Sequence, residues 1–551
     1  MASYYNYNDT SPPVVQGVPV KQPIHIYNHN YANHGIGAPE ILSPTHNSTG
    51  GNWTKGEPQP RRCNDVAFAI LFYAHLGVLA WTTALFAPRM AMEVAESNGL
   101  NYQRNLVEGE RGVTSRVLTW TIQRISAYTR NSIGQRSLEG EDDVYSFDAT
   151  SIGTNDIRDM MLLLGISAAV ALVISTLALA FMIRHAQVLI KFALLFNITS
   201  VALFTIGSLF LSPFAAIMGV FLTGMTIWYA YIVWGRIPFA ACNLVTATTA
   251  VRGNLGLSIL AYSSLPLMLG WSAWWMVSFA STIYVTSGCD GQGNCQGEAN
   301  GFVIFLLLLS FHWTSSVIRN TVHVTVAGVV GTWWFVPTEA SSFCSSAVRD
   351  SYLRSMTTSF GSICMGSLLV AIVEALESTV KNQREESDGL LLCLLQCLLA
   401  CLRDVIEYFN TWAYVFVGIY GYTFLDAGKN VLELFKTRGW TTIITDNLAQ
   451  SVLTMLSAAV GLITGLVALA IAHGQGMVFG SELGASAAAF FIGFIVGTVL
   501  SSTLMTLVSS AVNTVIVCYA EAPAEFQTNH PKLSDDMRST WRQAWPGEFS
   551  Y

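Results

Sequence analysis

The sequence predicts an all-α fold, a polytopic transmembrane helical bundle of about ten spans with both termini cytosolic. Three observations predict it. Of 551 residues, 52% are hydrophobic and only 11% charged, against about 25% charge in an ordinary soluble domain. Apolar runs recur from residue 64 to 519, and each approaches the roughly 20 residues that a helix needs to cross hydrocarbon. After a first large loop with Arg and acidic residues mixed, joints that carry Arg184 and Lys191 or Arg236 and Arg252 alternate with two, Ser212-Pro213 and 285–300, that carry no Lys or Arg, the bias that holds basic loops in the cytosol.

The same composition excludes several functions. A charge deficit of this size rules out a water-soluble enzyme. A net charge of -7 without a basic run argues against nucleic acid, which is bound by clustered Lys and Arg that release counterions. Ten cysteines spread over the chain do not make a small disulfide scaffold. The opening MASYYNYNDT has no basic-then-apolar signal pattern, so the first span is expected to target the chain.

Taken in order, residues 1–63 are rich in Tyr, Asn, His, Gly and Pro and lack aliphatic periodicity, which predicts a disordered cytosolic tail. Lys55, Arg61 and Arg62 end it. The transmembrane domain then runs from 64 to 519. Its first span is 64–87, followed by a large external loop over 88–159. Spans follow at 160–183, 188–211, 214–234 and 255–284, with Arg184 and Lys191 in one cytosolic joint and Arg236 and Arg252 in another. The loop 285–300 has no Lys or Arg and reads as external. Cys289 and Cys295 within it are expected to bridge in an oxidising compartment, the alternative being two free thiols.

Residues 301–336 read as one tilted or broken span containing Arg319, Asn320 and His323. Spans at 357–380 and 405–425 enclose a segment, with a Leu/Cys run over 390–402, that either crosses or dips and returns. Two further spans, 450–473 and 485–519, bring the chain to a polar, solvated cytosolic tail over 520–551.

No Walker A loop, GxSxG elbow, HExxH or paired CxxC occurs, so transport is favoured over catalysis and neither metal nor cofactor is expected. Cys393, Cys397 and Cys401 form a stripe at helical spacing, read as packing or as an S-palmitoylation site near the cytosolic interface. Two GxxxG steps, Gly461 with Gly465 and Gly493 with Gly497, predict close helix approach. Gly361, Ser362, Gly366 and Ser367 add small residues that either pack or meet substrate.

Aromatic residues carry the substrate reading. A quaternary ammonium has no N–H to donate, so aromatic faces recognise it. Tyr73 and Trp81 in the first span, Trp271, Trp274 and Trp275 in the fifth, and His312 and Trp313 in the sixth are candidates for such a cage, the alternative being an interfacial belt. Ionisable groups within spans are costly and point to ion or proton sites. Glu374 is the sharpest, followed by His75 and His323, whose alternative is a satisfied buried histidine.

The stretches SFHWTSSVIRNTVHVTVAGVVGTWWF (310–335), SFGSICMGSLLVAIVEAL (359–376), YFNTWAYVFVGIYGYTFLDAGKNVLELF (408–435), VNTVIVCYAEAPAEF (512–526) and RIPFAACNLVTATTAVRGNLGL (236–257) resemble the choline transporter-like family of solute carriers, and within it the Pns1-like branch. The likeness runs in order over about residues 60–530. It implies about ten spans and sodium-independent movement of choline or a related organic cation, facilitative or proton-coupled, across the plasma membrane or an organelle membrane. Two departures stand beside it. The first external loop lacks an N-x-S/T sequon, and the sequons at Asn8, Asn47 and Asn52 lie in the tail. A non-transporting membrane scaffold and a carrier of another small amine such as ethanolamine are the other readings.

Overall fold

A computed structural model describes residues 62–97, 154–208, 213–289, 297, 300–343, 345–386, 390–438, 446–475 and 482–544. The chain divides into residues 1–52 and 53–551, and every described residue belongs to the second unit. The expected disordered tail and most of the expected external loop, residues 98–153, lie outside the described residues.

The described residues are helical throughout, with no β-strand among them. In chain order the helices are α1 (Val66–Ser97), α2 (Thr154–Ser208), α3 (Pro213–Val233), α4 (Ile237–Gly253), α5 (Gly256–Thr286), α6 (Gly301–Phe335) and α7 (Ser346–Met356). They continue with α8 (Phe360–Glu386), α9 (Leu390–Tyr420), α10 (Phe424–Arg438), α11 (Asp446–Gln475), α12 (Glu482–Glu521), α13 (Pro523–Asn529) and α14 (Pro531–Ala544).

Each expected span coincides with helix. Seven continuous tracts among the described residues are long and apolar enough to cross a membrane. One of them, Leu162–Ser208, is 47 residues long and holds two expected spans, because α2 bends at His185, where φ is −130° and ψ 28°. The stretch expected to be tilted or broken at 301–336 is one unbroken helix, α6. Asn300 caps it, its side-chain oxygen accepting from Phe302 N–H at 2.9 Å, which satisfies one of the orphan donors of a first turn.

Two segments depart from expectation. The joint between Arg236 and Arg252 is itself a helix, α4, with Phe239, Leu244, Ala247, Ala250 and Val251 fully buried. Two closely spaced arginines marked its ends correctly, but the apolar face between them was too short to read as a span. Residues 523–544, expected to be solvated, fold as α13 and α14 against α4 and α6. Trp541 and Met537 are buried, the Trp541 ring lies 4.7 Å from Phe239 and 4.5 Å from Tyr519, and its Nε1–H donates to Asn243 at 3.3 Å. Phe526 stacks on Trp334 at 3.9 Å. Scattered aromatics at helical spacing, within a segment of low mean hydropathy, carry this docking.

His530 completes that contact, stacking on Trp333 at 4.0 Å while Nε2–H donates to the Trp333 carbonyl at 3.1 Å. Burial holds its pKa below the ordinary 6.5, and the carbonyl bond offsets this in part. The docked state therefore favours neutral imidazole, so docking is intact above about pH 6.5 and weakens as pH falls through that value toward the lowered one. Thermal stability of the purified protein should drop more between about pH 7.5 and about pH 5.5 in wild type than in His530→Gln.

α11 and α12 pack along their length, and the two GxxxG steps interlock there. A Cβ on Gly461 would lie 2.0 Å from Thr498 Oγ1, one on Gly493 2.4 Å from Ala468 Cβ, and one on Gly497 2.7 Å from Thr464 Cβ. Only hydrogen at these positions lets the two backbones approach this closely.

The ends of the bundle sort by hydrogen bonds. Asn64 N–H donates to the Thr358 carbonyl at 2.9 Å and Asn64 Nδ2 to the Gly421 carbonyl at 2.6 Å. Tyr420 O–H donates to Glu521. Hence the starts of α1 and α8 and the ends of α9 and α12 share one end. The hairpin of α8 and α9 then places Cys393, Cys397 and Cys401, all free thiols, at the opposite end. The stripe therefore lies at the end of the bundle opposite Arg62. At that far end Tyr284 O–H donates to Glu93 Oε2 at 2.8 Å. Cys289 lies just past α5, and Cys295, its expected partner, lies outside the described residues.

Candidate substrate site

The expected aromatic cage divides into two clusters, one after the other along α1. The first joins α1, α6 and α8. Trp313 is 4% exposed and its Nε1–H donates to the Cys364 carbonyl at 3.0 Å, which fixes the indole plane. His75 stacks on that indole at 4.6 Å, and Phe72 meets it edge-on at 5.3 Å. Phe72 also packs against Phe360 at 5.7 Å, and Tyr73 stacks on Phe360 at 5.5 Å. Helical spacing explains the grouping: Phe72 and His75 are three apart and share a face of α1. Tyr73 is one position off that face and is 58% exposed.

The second cluster joins α1, α5 and α6. Leu79, Trp271 and Leu307 are its buried members, with Trp274, Trp275 and Phe311 packed against them. Trp275 Nε1–H donates to the Leu307 carbonyl at 2.8 Å and Trp271 Nε1–H to the Phe311 carbonyl at 3.4 Å. These indoles bond to the neighbouring helix and pack on one another, with Trp271 and Trp274 edge-on at 5.5 Å. They are a packing seam between α5 and α6. Trp81 belongs to neither cluster and is 66% exposed.

Above the first cluster, toward the Glu93 end, lie the ionisable groups. His312 Nδ1 is 3.1 Å from Glu374 Oε2, close enough for an ion pair though not aligned as a hydrogen bond. Ser378 Oγ is 3.3 Å from His312 Nε2 and donates to the Glu374 carbonyl at 2.8 Å. Nearby on the same helix, Glu377 pairs with Arg403 at 2.7 Å. A histidine facing a carboxylate can hold one proton between them, and the carboxylate can balance an organic cation when the histidine is neutral.

His323 is elsewhere and fully engaged. Its Nδ1 lies 2.6 Å from Ser510 Oγ, and Nε2–H donates to the Thr411 carbonyl at 3.0 Å. Beside it Asn320 Nδ2 donates to Ser367 Oγ at 2.9 Å, and Tyr414 O–H donates to the Ile363 carbonyl at 3.1 Å. This network ties α6 to α8, α9 and α12. Satisfied buried polar groups of this kind fix a unique packing.

Of the residues that the sequence singled out, the structure groups Tyr73, His75 and Trp313 around Phe72 and Phe360 and pairs His312 with Glu374; Phe311 lies 5.5 Å from the His312 ring and 4.7 Å from Trp275, and His323 lies apart. Phe72, Phe360, Ser378 and Arg403 were missed. Ser378 stands four residues from Glu374, a spacing that marks it as a helix-face neighbour. Phe72 and Phe360 carry no such signal, since an apolar ring in an apolar run looks like packing.

A family model described as plasma-membrane choline transporter matches residues 217–524. The chain belongs to that family. The match takes in α4 to α12, with Trp313 and Glu374, and leaves α1 outside. Among similar proteins, Protein PNS1 of Mycosarcoma maydis is 28% identical over 344 residues, 57% of this chain and 60% of that protein. Protein PNS1 of Debaryomyces hansenii is 26% identical over 433 residues, 75% of this chain and 83% of the relative. A CTL-like protein of Dictyostelium discoideum is 26% identical over 538 residues, 95% of this chain and 84% of the relative. The chain thus spans 60% of the length of the Mycosarcoma maydis relative. Family and helices together make it a multi-pass membrane protein.

Proposed function

We propose that this member of the choline transporter-like family carries choline or a related small organic cation across the plasma membrane, independently of sodium, through about ten spans with both ends of the chain cytosolic. The observation that carries the reading is the ring group Trp313, His75, Phe72 and Phe360, with His312, the chain neighbour of Trp313, paired to Glu374. Rings attract a trimethylammonium through their negative faces, worth about 2 kcal/mol when desolvated. The hydroxyls of Ser310, Thr314 and Ser315 lie within a turn of Trp313 on α6 and supply partners for the alcohol end of choline. Labelled choline offered to proteoliposomes tests it. Saturable uptake that is unchanged when sodium is replaced supports the reading; uptake no faster than in empty liposomes overturns it.

A second amine is favoured by one observation. Ethanolamine carries N–H donors, and Glu374 Oε2 is a buried acceptor with no hydrogen-bond partner. Glu374→Gln keeps the shape and removes the charge. It is expected to abolish the response of uptake to an imposed pH gradient, and to weaken ethanolamine competition more than choline uptake. Equal pH responses in wild type and Glu374→Gln would remove this residue from proton coupling.

The bridge between Cys289 and Cys295 belongs to the same topology, because a disulfide persists on the non-cytosolic side. Peptide mapping without reductant should recover the two cysteines in one linked peptide, and Cys295→Ser should leave Cys289 open to alkylation.

A further inference from the structure

We infer that Asn64 and Asp65 form the latch of an inner gate, joining α1 to α8 and α10 beneath the ring cluster and releasing all of them at once when the site opens to that side. Two consecutive residues make the polar part of the connection. Asn64 holds the Thr358 carbonyl through its N–H and the Gly421 carbonyl through its side chain, at 2.9 and 2.6 Å. One carboxylate oxygen of Asp65 accepts both from Ser362 Oγ–H at 2.6 Å and from Phe424 N–H at 2.8 Å. Ser362 stands in the first turn of α8, and Phe424 opens α10.

The backbone is shaped for this contact. Asp65 has φ 51°, the one non-glycine positive φ among the described residues, a conformation that Asp tolerates better than most residues. Gly421, which offers its carbonyl, has φ 66°. The approach of α1 to α8 is so close that a Cβ on Gly361 would lie 2.3 Å from the Asn64 carbonyl oxygen and 2.4 Å from that of Asp65. Such contact is made only by a fitted joint, since a side chain of any size at 361 would part it.

The position gives the joint its role. Phe360 begins the helix that the latch grips, and its ring packs on Phe72, which packs on Trp313. Cys364, just above Ser362 in the first turns of α8, is fully buried and its carbonyl receives the Trp313 indole. With the latch closed, a guest among these rings has no path past the start of α1. Release on this side requires Asp65 to part from Ser362 and Phe424 so that α1 can swing outward. The carrier reading gives the latch its purpose, but the test below follows thiol access and not transport, so the two stand or fall separately.

Cys364 is a native reporter, being a free thiol behind the latch. The full chain in proteoliposomes is treated with a methanethiosulfonate bearing a trimethylammonium group, and modification of the Cys364 peptide is followed by mass spectrometry. Asp65→Ala should speed that modification by at least about tenfold, the ratio implied by losing a charge-assisted hydrogen bond. Gly361→Ala, which wedges the joint apart, should do the same, and Ser362→Ala should give a smaller gain. Wild-type rates in Asp65→Ala and Gly361→Ala overturn the inference. Where Asp65→Ala is not monodisperse, Ser362→Ala decides: faster modification supports the latch and an unchanged rate overturns it.

Discussion

Trp313→Ala should lower choline uptake at low substrate concentration by about 30-fold, the ratio corresponding to about 2 kcal/mol of lost cation–ring attraction. The indole is the most constrained ring of the seam, held by the Cys364 carbonyl and flanked by His75 and Phe72. Truncating a buried Trp also costs about 3–5 kcal/mol of packing, so the uptake of Trp313→Ala must be normalised to folded protein by size-exclusion profile. Trp313→Phe separates the terms. It keeps an aromatic face and loses the Nε1–H bond, and should retain uptake with weakened apparent affinity. Uptake by folded Trp313→Ala equal to wild type would refute a role for this ring in binding. Trp275→Ala is the matched control, since that indole bonds across the α5–α6 seam; it should lower thermal stability with little change in apparent affinity.

Gly461→Leu is expected to be the most destabilising single change in the bundle. A Cβ there already falls 2.0 Å from Thr498 Oγ1 and 3.0 Å from the Phe494 carbonyl oxygen, so a leucine forces α11 and α12 apart. Overpacking costs about 1–3 kcal/mol when neighbours can shift, and here backbone lies in the way. The unfolding temperature of purified protein in detergent should fall clearly below wild type. Gly77→Leu should leave it nearly unchanged, because a Cβ at that position on α1 would meet no atom within 4 Å. Equal melting of Gly461→Leu and wild type would show that this helix pair does not hold the bundle together.

Most of the architecture was legible because lipid makes hydrophobic length informative: a backbone in hydrocarbon must satisfy its own hydrogen bonds, so an apolar run of sufficient length is a helix. The bend at His185 was visible as the charged joint around Arg184. Buried amphiphilic pieces were harder. α4 reads as a polar joint because Asn243, Thr246 and Thr248 interrupt its apolar residues, yet all three are buried. α14 reads as a solvated tail because Asp535, Asp536 and Arg538 outweigh Met537 and Trp541. In both cases tertiary contact, not composition, decides burial. The site was half legible for a related reason. Sequence shows which residue types can bind a cation, but not which rings face each other, and so it could not separate Trp313 from the three tryptophans of α5. Glu374 stood out because a carboxylate within an apolar run is costly; its partner His312 lies 62 positions away in the chain, a distance that no local pattern spans.

The interlocked glycines of α11 and α12 have a mechanical consequence. Two rods toothed together along several turns behave as one beam, and 44% of the apolar window of α11 is buried, whereas only 11% of that of α1 is. In the carrier proposed above, the beam would serve as the stator and the thinly held α1 as the lever. A chemical staple between the two halves of the beam should therefore leave turnover untouched, while tethering the lever should stall it.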